Sequence, residues 1–350
     1  MKTMIRLCIA VVCCMCFFAC DMRELCYDHD SHAYKYQVNI VADYEQEWQY
    51  PLLPAKDWRE NWPDTFNVRY SDLLPILPSG LRVMIYDSLR YDRQNIGRNG
   101  GLVYLTELEK SFIICNNNTE TIIFNDERKK DTASVTTTVP SVTTRSISRS
   151  SYDGNQYSSL KDIDTRTEPD VLFVNYISSY QPISSIKPLD LPVLLKPVVY
   201  TYYIRYEFEY GIEHVNQARG ALAGMSGTVN LHTQEPGDEL VTVMFNAKIN
   251  SFGVDADVKS FGLPFDQTEL GFQFVDGEYT CGLNLEVLLS NGNIKSFEFD
   301  ITDQIKLQPR GGVIVVKGLR VEDEEALKEG SGFDVNVDGW GEYEDVVLDF

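Results

Sequence analysis

The residues of this chain that could do chemistry are few, and most stand in incomplete patterns. Asp334-x-Asn336-x-Asp338-Gly339 opens like a calcium loop, yet its twelfth position is Asp345, where a bidentate Glu is required. Val335 and Val337 alternate there as in a strand, so no calcium site is expected. Cys26-x-x-His29-x-x-His32 offers three ligands, one short of a structural zinc and with no second cluster nearby. Gly224-Met225-Ser226-Gly227 places its second Gly one residue too early for a nucleophile elbow and reads as a small-residue turn before a strand at Thr228–Leu231. His214 and His232 lie on or beside strands without a Ser or Cys partner, and no spacing singles out a pair of carboxylates. No catalytic residue, cofactor or metal is expected, and the chain reads as a non-enzyme. Trp48, Trp58 and Trp62 fall within fifteen residues among several prolines. Exposed, they would form a stacking platform for sugar rings; packed, they would plug the end of a β-sandwich, which is the favoured reading.

The N-terminus carries a different chemistry. Lys2 and Arg6 precede twelve uncharged, mostly apolar residues, Leu7 to Phe18, and then Ala19-Cys20. A basic start, a short apolar core and a small residue before the cut define a signal peptide over residues 1–19. Twelve residues cannot span a bilayer core that needs about 20. Cys20 directly after Phe17-Phe18-Ala19 resembles a bacterial lipobox, with Phe17 in place of the usual Leu. Cys20 is therefore expected to carry lipid, palmitate-type acyl chains that hold the protein to the outer membrane. Loss of residues 1–19 leaves 29 basic against 52 acidic residues, a charge of −23. So acidic a chain is not built for nucleic acid, whose phosphates need clustered Lys and Arg. Only Cys26, Cys115 and Cys281 remain as free thiols, too few for a disulfide framework, though any two of them could pair.

The elements that must position these residues are strands. Tyr36, Val38, Ile40, Ala42 and Tyr44 share one face. From Val198 to Tyr210 the even positions are Val, Tyr, Tyr, Ile, Tyr, Phe and Tyr, while Thr201, Arg205, Glu207 and Glu209 mark a face expected in water. Leu81/Val83/Ile85, Val241/Val243/Phe245 and Phe297/Phe299/Ile301 repeat the alternation, and Val313–Val316 reads as a strand buried on both sides. Asn291-Gly292 is a hairpin turn. Residues 131–168 hold 16 Ser or Thr in 38 positions and read as a linker, with Arg145, Arg149 and Arg166 as exposed tryptic sites. The expected layout is a tether over 20–34, one β-sandwich over 35–130, the linker, and a second β-sandwich over 169–350. The tail 343–350 is expected to close the second domain as a strand, leaving a monomer in vitro.

Arg23-Glu24-Leu25-Cys26-Tyr27-Asp28-His29 after the lipobox resembles the opening of a fimbrillin-like lipoprotein family of the Bacteroidota, catalogued as a domain of unknown function. Ala221–Thr228, Lys259-Ser260-Phe261-Gly262 and Phe299–Ile305 resemble it further, in the same order. The resemblance implies an all-β fold of two transthyretin-like, Greek-key β-sandwich domains in tandem, an outer-membrane lipid anchor exposed at the cell surface, and kinship with fimbrial stalk, tip and anchor subunits. It points to an accessory or tip-like fimbrial subunit acting in adhesion, with other fimbrial subunits as partners. The alternative is a monomeric lipoprotein that binds host or bacterial glycans through the Trp48/Trp58/Trp62 loop. Asp87-Ser88-Leu89 and Asp131-Thr132-Ala133 resemble the O-glycosylation signal of exported proteins of this phylum, making Ser88 and Thr132 candidate acceptors.

Overall fold

Strand alternation dominates the chain, and a computed structural model, which describes residues 36–49, 57–140, 163–268, 271–274 and 280–327, is all-β. Among the described residues no helix exceeds five residues, and none is long and apolar enough to cross a membrane. The first ten strands are β1 (Gln37–Tyr44), β2 (Gly80–Tyr86), β3 (Tyr91–Gly97), β4 (Gly100–Tyr104), β5 (Lys110–Asn116), β6 (Ile122–Asn125), β7 (Ser134–Thr137), β8 (Thr165–Thr167), β9 (Phe173–Tyr180) and β10 (Leu189–Pro197). Seven of them close a ring in the order β1-β10-β9-β5-β2-β3-β4. Two joints of the ring are thin. β3 meets β4 only at Gly97 and Gly100, and β9 meets β10 only through Val174–Lys196 and Phe173–Pro197. The ring is therefore a flattened barrel, one layer β10-β1-β4 and the other β9-β5-β2-β3. Val38, Ile40, Leu81, Val83, Ile85, Phe112 and Ile114 fill it. The outward side chains of β2 and β5, among them Met84, Ile113 and Cys115, are buried as well, which is why all seven residues of β5 are buried.

What covers that outer face is a three-stranded sheet, β6-β7 with β13 (Thr228–Asn230). Val229 of β13 sits opposite Val135 of β7, and both are buried at 1% and 0% exposure. This sheet welds the first unit to the second, which comprises β11 (Tyr200–Tyr210), β12 (Val215–Ser226), β14 (Leu240–Asn250), β15 (Gly253–Ser260), β18 (Gly282–Leu289), β19 (Ile294–Asp300) and β20 (Gly312–Arg320). A small hairpin, β16 (Phe265–Thr268) with β17 (Gly271–Phe274), branches off, and two one-turn helices, α1 (Thr302–Lys306) and α2 (Asp323–Leu327), flank β20. The sheet order is β19-β18-β12-β14-β15-β11-β20. β14 and β15 pair over only three positions, Lys248 to Asn250, and there the sheet folds over. Tyr202, Ile204 and Tyr206 of β11 thus meet Leu222 of β12 and Leu283 and Leu285 of β18 in one core, and Tyr206 Oη donates to the Asn284 carbonyl at 3.2 Å.

Several expectations change. The boundary placed at residue 169 moves to about 198, because β9 and β10 complete the ring by pairing with β5 and β1. The stretch 131–168 is not wholly a linker: β7 pairs with β6 and β13, and β8 pairs with β14. The odd face of β11 does not meet water through Arg205. Thr201, Tyr203 and Arg205 are 7%, 1% and 6% exposed, since the Trp-rich segment lies on them. Gly224 lies within β12 at a bulge, not in a turn. Its φ is +90°, and a Cβ there would stand 2.8 Å from the Thr280 carbonyl oxygen. Val313–Val316 is buried on both sides, and Asn291-Gly292 turns the β18–β19 hairpin, as expected. The signal peptide, the tether, the calcium-like loop and the tail 343–350 lie outside the described residues.

Candidate functional site

Where the two units meet, a cavity of about 380 Å³ opens, a volume in the range of small-ligand sites. Ile76, Leu77 and Pro78 on the approach to β2 form an apolar wall, and Asn118, Glu168, Asp170 and Lys259 supply polar groups. Buried Asn116 holds the connection from β8 to β9 in place. Its Nδ2 donates to the Val171 carbonyl at 2.7 Å, and its Oδ1 accepts from the Phe173 N–H at 2.8 Å. Asp170 Oδ2 accepts from the backbone N–H groups of Glu120 and Thr121 at 2.5 and 2.6 Å. Glu168 Oε2 accepts from the Lys259 N–H at 3.4 Å, bridging the units. Burial pushes the Glu168 carboxyl up to about 6, against the opposing pull of the Lys259 charge. At neutral pH the carboxyl is still mostly ionised and acts as a hydrogen-bond acceptor. Together with the Lys259 ammonium and the Asn118 amide it can hold a polar molecule. No nucleophile stands beside a base here, and among the described residues no group of three or more His, Cys, Asp or Glu is placed to hold a metal ion. The arrangement supports binding.

The candidate sites read from the sequence do not converge on this cavity. Trp48 and Trp58 are 1% and 2% exposed and Trp62 is half-buried, so the glycan platform is corrected to a packing cluster. Trp62 meets Trp48, Trp58, Phe66 and Tyr203 at ring-centroid distances of 5.9, 6.4, 5.2 and 5.8 Å. Together with Val313 and Val315 of β20 they make a core of their own. Packing wins because the chain before β2 has the outer face of β11 and β20 to cover. Gly311 (φ +81°) admits this approach, since a Cβ would stand 2.7 Å from the Trp48 carbonyl oxygen.

Ser88 is exposed in the β2–β3 turn beside Leu89, which is 82% exposed. Asp87 fixes that turn: Oδ1 accepts from the Leu89 and Arg90 N–H groups at 2.8 Å, and Oδ2 accepts from Lys110 Nζ at 2.5 Å. Burial opposes charge on Asp87, but these hydrogen bonds and the Lys110 charge prevail and bring its pKa down to about 2. Thr132 is also exposed, but Ala133 after it is fully buried and its carbonyl accepts from the Leu231 N–H. Cys115 and Cys281 are both buried and lie in different cores, so they do not pair with each other. Cys20 and Cys26 lie outside the described residues, as do Arg145 and Arg149. Arg166 is no open tryptic site: it lies in β8, with ion pairs to Asp164 and Glu239 at 3.3 and 3.6 Å.

Sequence reasoning passed over Glu168, Asp170 and Lys259. The only local signal is Glu168-Pro169-Asp170, two acids on a stiff connection at the end of a supposed linker.

The family model described as Domain of unknown function (DUF5119) matches residues 71–246, half of the chain. No curated protein sequence matches. Among solved structures, a candidate adhesin from Bacteroides ovatus is similar at TM-score 0.55 and 18% identity, over 87% of this chain and 98% of that one. At that identity the likeness concerns the fold. A second candidate adhesin from Bacteroides ovatus aligns at TM-score 0.44 and 8% identity over 81% and 88% of the two chains. The fimbrial anchor protein Mfa2 from Porphyromonas gingivalis aligns at 0.42 and 6% over 80% and 90%.

Proposed function

This chain belongs to the DUF5119 family, and we propose that it is a cell-surface lipoprotein, held in the outer membrane through Cys20, that serves as an accessory or tip-like fimbrial subunit in adhesion. The observation that carries the reading is the fold shared with the candidate adhesin across 98% of that chain. The finer description, two transthyretin-like sandwiches, belongs to the same proposal and is supported by the two layers of each unit. Fold alone does not assign function, so the site must be consulted, and its polar cavity fits binding. A glycan-binding role no longer has its Trp platform; a sugar would have to enter the cavity lined by Asn118, Glu168 and Lys259.

Two experiments test the proposal. Cys20→Ala should release the protein from the membrane fraction, and pelleting like the parent would remove the lipid anchor from the reading. Fimbrial subunits should co-purify with the native protein after mild cross-linking. Retention in a polysaccharide affinity gel without such subunits would favour the glycan binder instead.

A further inference from the structure

An edge strand with an apolar, β-branched sequence is a template for another strand. β20 is such a strand. Among the described residues it ends the sheet order of the second unit, and it pairs with β11 along one side. Gly312-Val313-Ile314-Val315-Val316 carries no charge until Lys317. Its other side, however, is occupied by two side-chain amides. Gln308 Nε2 donates to the Val313 carbonyl at 2.8 Å, and the Val313 N–H donates to Gln308 Oε1 at 2.8 Å. Gln304 Nε2 donates to the Val315 carbonyl at 3.2 Å, and the Val315 N–H donates to Gln304 Oε1 at 3.2 Å. A carboxamide offers the same donor and acceptor as a peptide group. The two glutamines, four residues apart, thus stand where the peptide groups of an antiparallel neighbour would.

The surrogate is anchored. Ile305 between the two glutamines is fully buried, and Gln308 Oε1 also accepts from Trp58 Nε1 at 2.8 Å. The same device recurs at the thin β3–β4 joint of the barrel. There Gln94 Nε2 donates to the Tyr104 carbonyl at 2.7 Å and the Tyr104 N–H donates to Gln94 Oε1 at 3.0 Å.

We propose that Gln304 and Gln308 close the β20 edge against strand addition by β20 of a second copy of this chain. A second copy is the fitting occupant because identical edges pair antiparallel about a two-fold axis, and five uncharged residues set no like charge against itself. The guard goes beyond the adhesive role proposed above: it concerns self-association, whatever the protein adheres to.

The test uses the full chain. Gln304→Leu/Gln308→Leu keeps the side chains' bulk and removes both amides. By sedimentation velocity it should shift to dimers or larger species at concentrations where the parent is monomeric. Gln304→Glu/Gln308→Glu loses the same donors but leaves two carboxylates on the edge, so it should remain monomeric with a comparable drop in Tm. Should the double Leu variant fail to fold, Gln304→Leu alone, which gives up only the two longer bonds, carries the test. A Leu variant that stays monomeric overturns the proposal, as does a Glu variant that associates equally or a parent already paired through this edge. Association that leaves the Val313 and Val315 amides in rapid hydrogen exchange places the contact elsewhere and also overturns it.

Discussion

Among the described residues the first unit is a ring of seven strands and the second a sheet with two ends, β19 and β20. Both are built from strands of the same alternating sequence, yet they handle exposed backbone differently. The ring pairs each strand on both sides and adds side-chain help at its two thin joints, where Gln94 bridges β3 to β4 and Asn175 Nδ2 donates to the Leu194 carbonyl across β9 and β10. The open sheet must guard an end, and it recruits α1 and the Trp-rich segment to do so. A closed sheet meets its hydrogen-bonding needs through topology, whereas an open one depends on particular side chains.

The comparison breaks first, and hardest, at Trp48. Although Trp48 precedes most of the ring in sequence, it packs on β11 and β20. Trp48→Ala should cost about 3–5 kcal/mol, the range for emptying a large buried side chain. Hydrogen exchange should show β11 and β20 losing protection before β2 and β5. Earlier loss in β2 and β5 would mean that the Trp segment belongs to the ring.

Next comes the weld. Val135→Ala and Val229→Ala each remove buried methyls from facing strands, at about 1–3 kcal/mol apiece. Because that sheet couples the units, the double variant should melt in two calorimetric transitions where the parent melts in one. A single transition in the variant would show that other contacts hold the units together.

A smaller effect sharpens the comparison at the junction itself. The Glu168 carboxyl titrates at about 6 in the folded chain, above its ordinary value of 4.5. Folding therefore favours the protonated form. This cost is absent below the ordinary value and grows as pH rises through about 6. Glu168→Gln should accordingly stabilise the protein by about 1–2 kcal/mol at pH 8 and by almost nothing at pH 4, read from urea midpoints. Stabilisation that is instead larger at pH 4 would contradict a desolvated carboxyl.

The smallest effect separates an exposed turn of the ring from the weld. Ser88→Ala should change stability by less than about 0.5 kcal/mol. In protein from the native host it should also remove a sugar from the intact mass. An unchanged mass would dismiss Ser88 as an acceptor, and loss of sugar with Thr132→Ala instead would transfer that role to the site beside the weld.

Strand identity was legible because it depends on side-chain alternation between neighbours in sequence. Val38/Ile40 and Leu81/Val83/Ile85 face inward as their period-two pattern predicts, and Asn291-Gly292 turns its hairpin. The boundary between units was not legible. β1 pairs with β10 about 150 residues away, with Val38 opposite Leu189, and no local pattern encodes such a partner. The same holds for the candidate site, whose Glu168 and Lys259 come from segments some 90 residues apart. The sequence by itself determined the all-β character and the polarity of most strand faces, since each depends on residue types at short range. Only the tertiary structure decided that the tryptophans are buried, that a supposed linker contributes two strands and that three glutamine amides stand in for peptide groups. Each of these outcomes depends on which distant backbone must be covered or paired, and chain closure settles that.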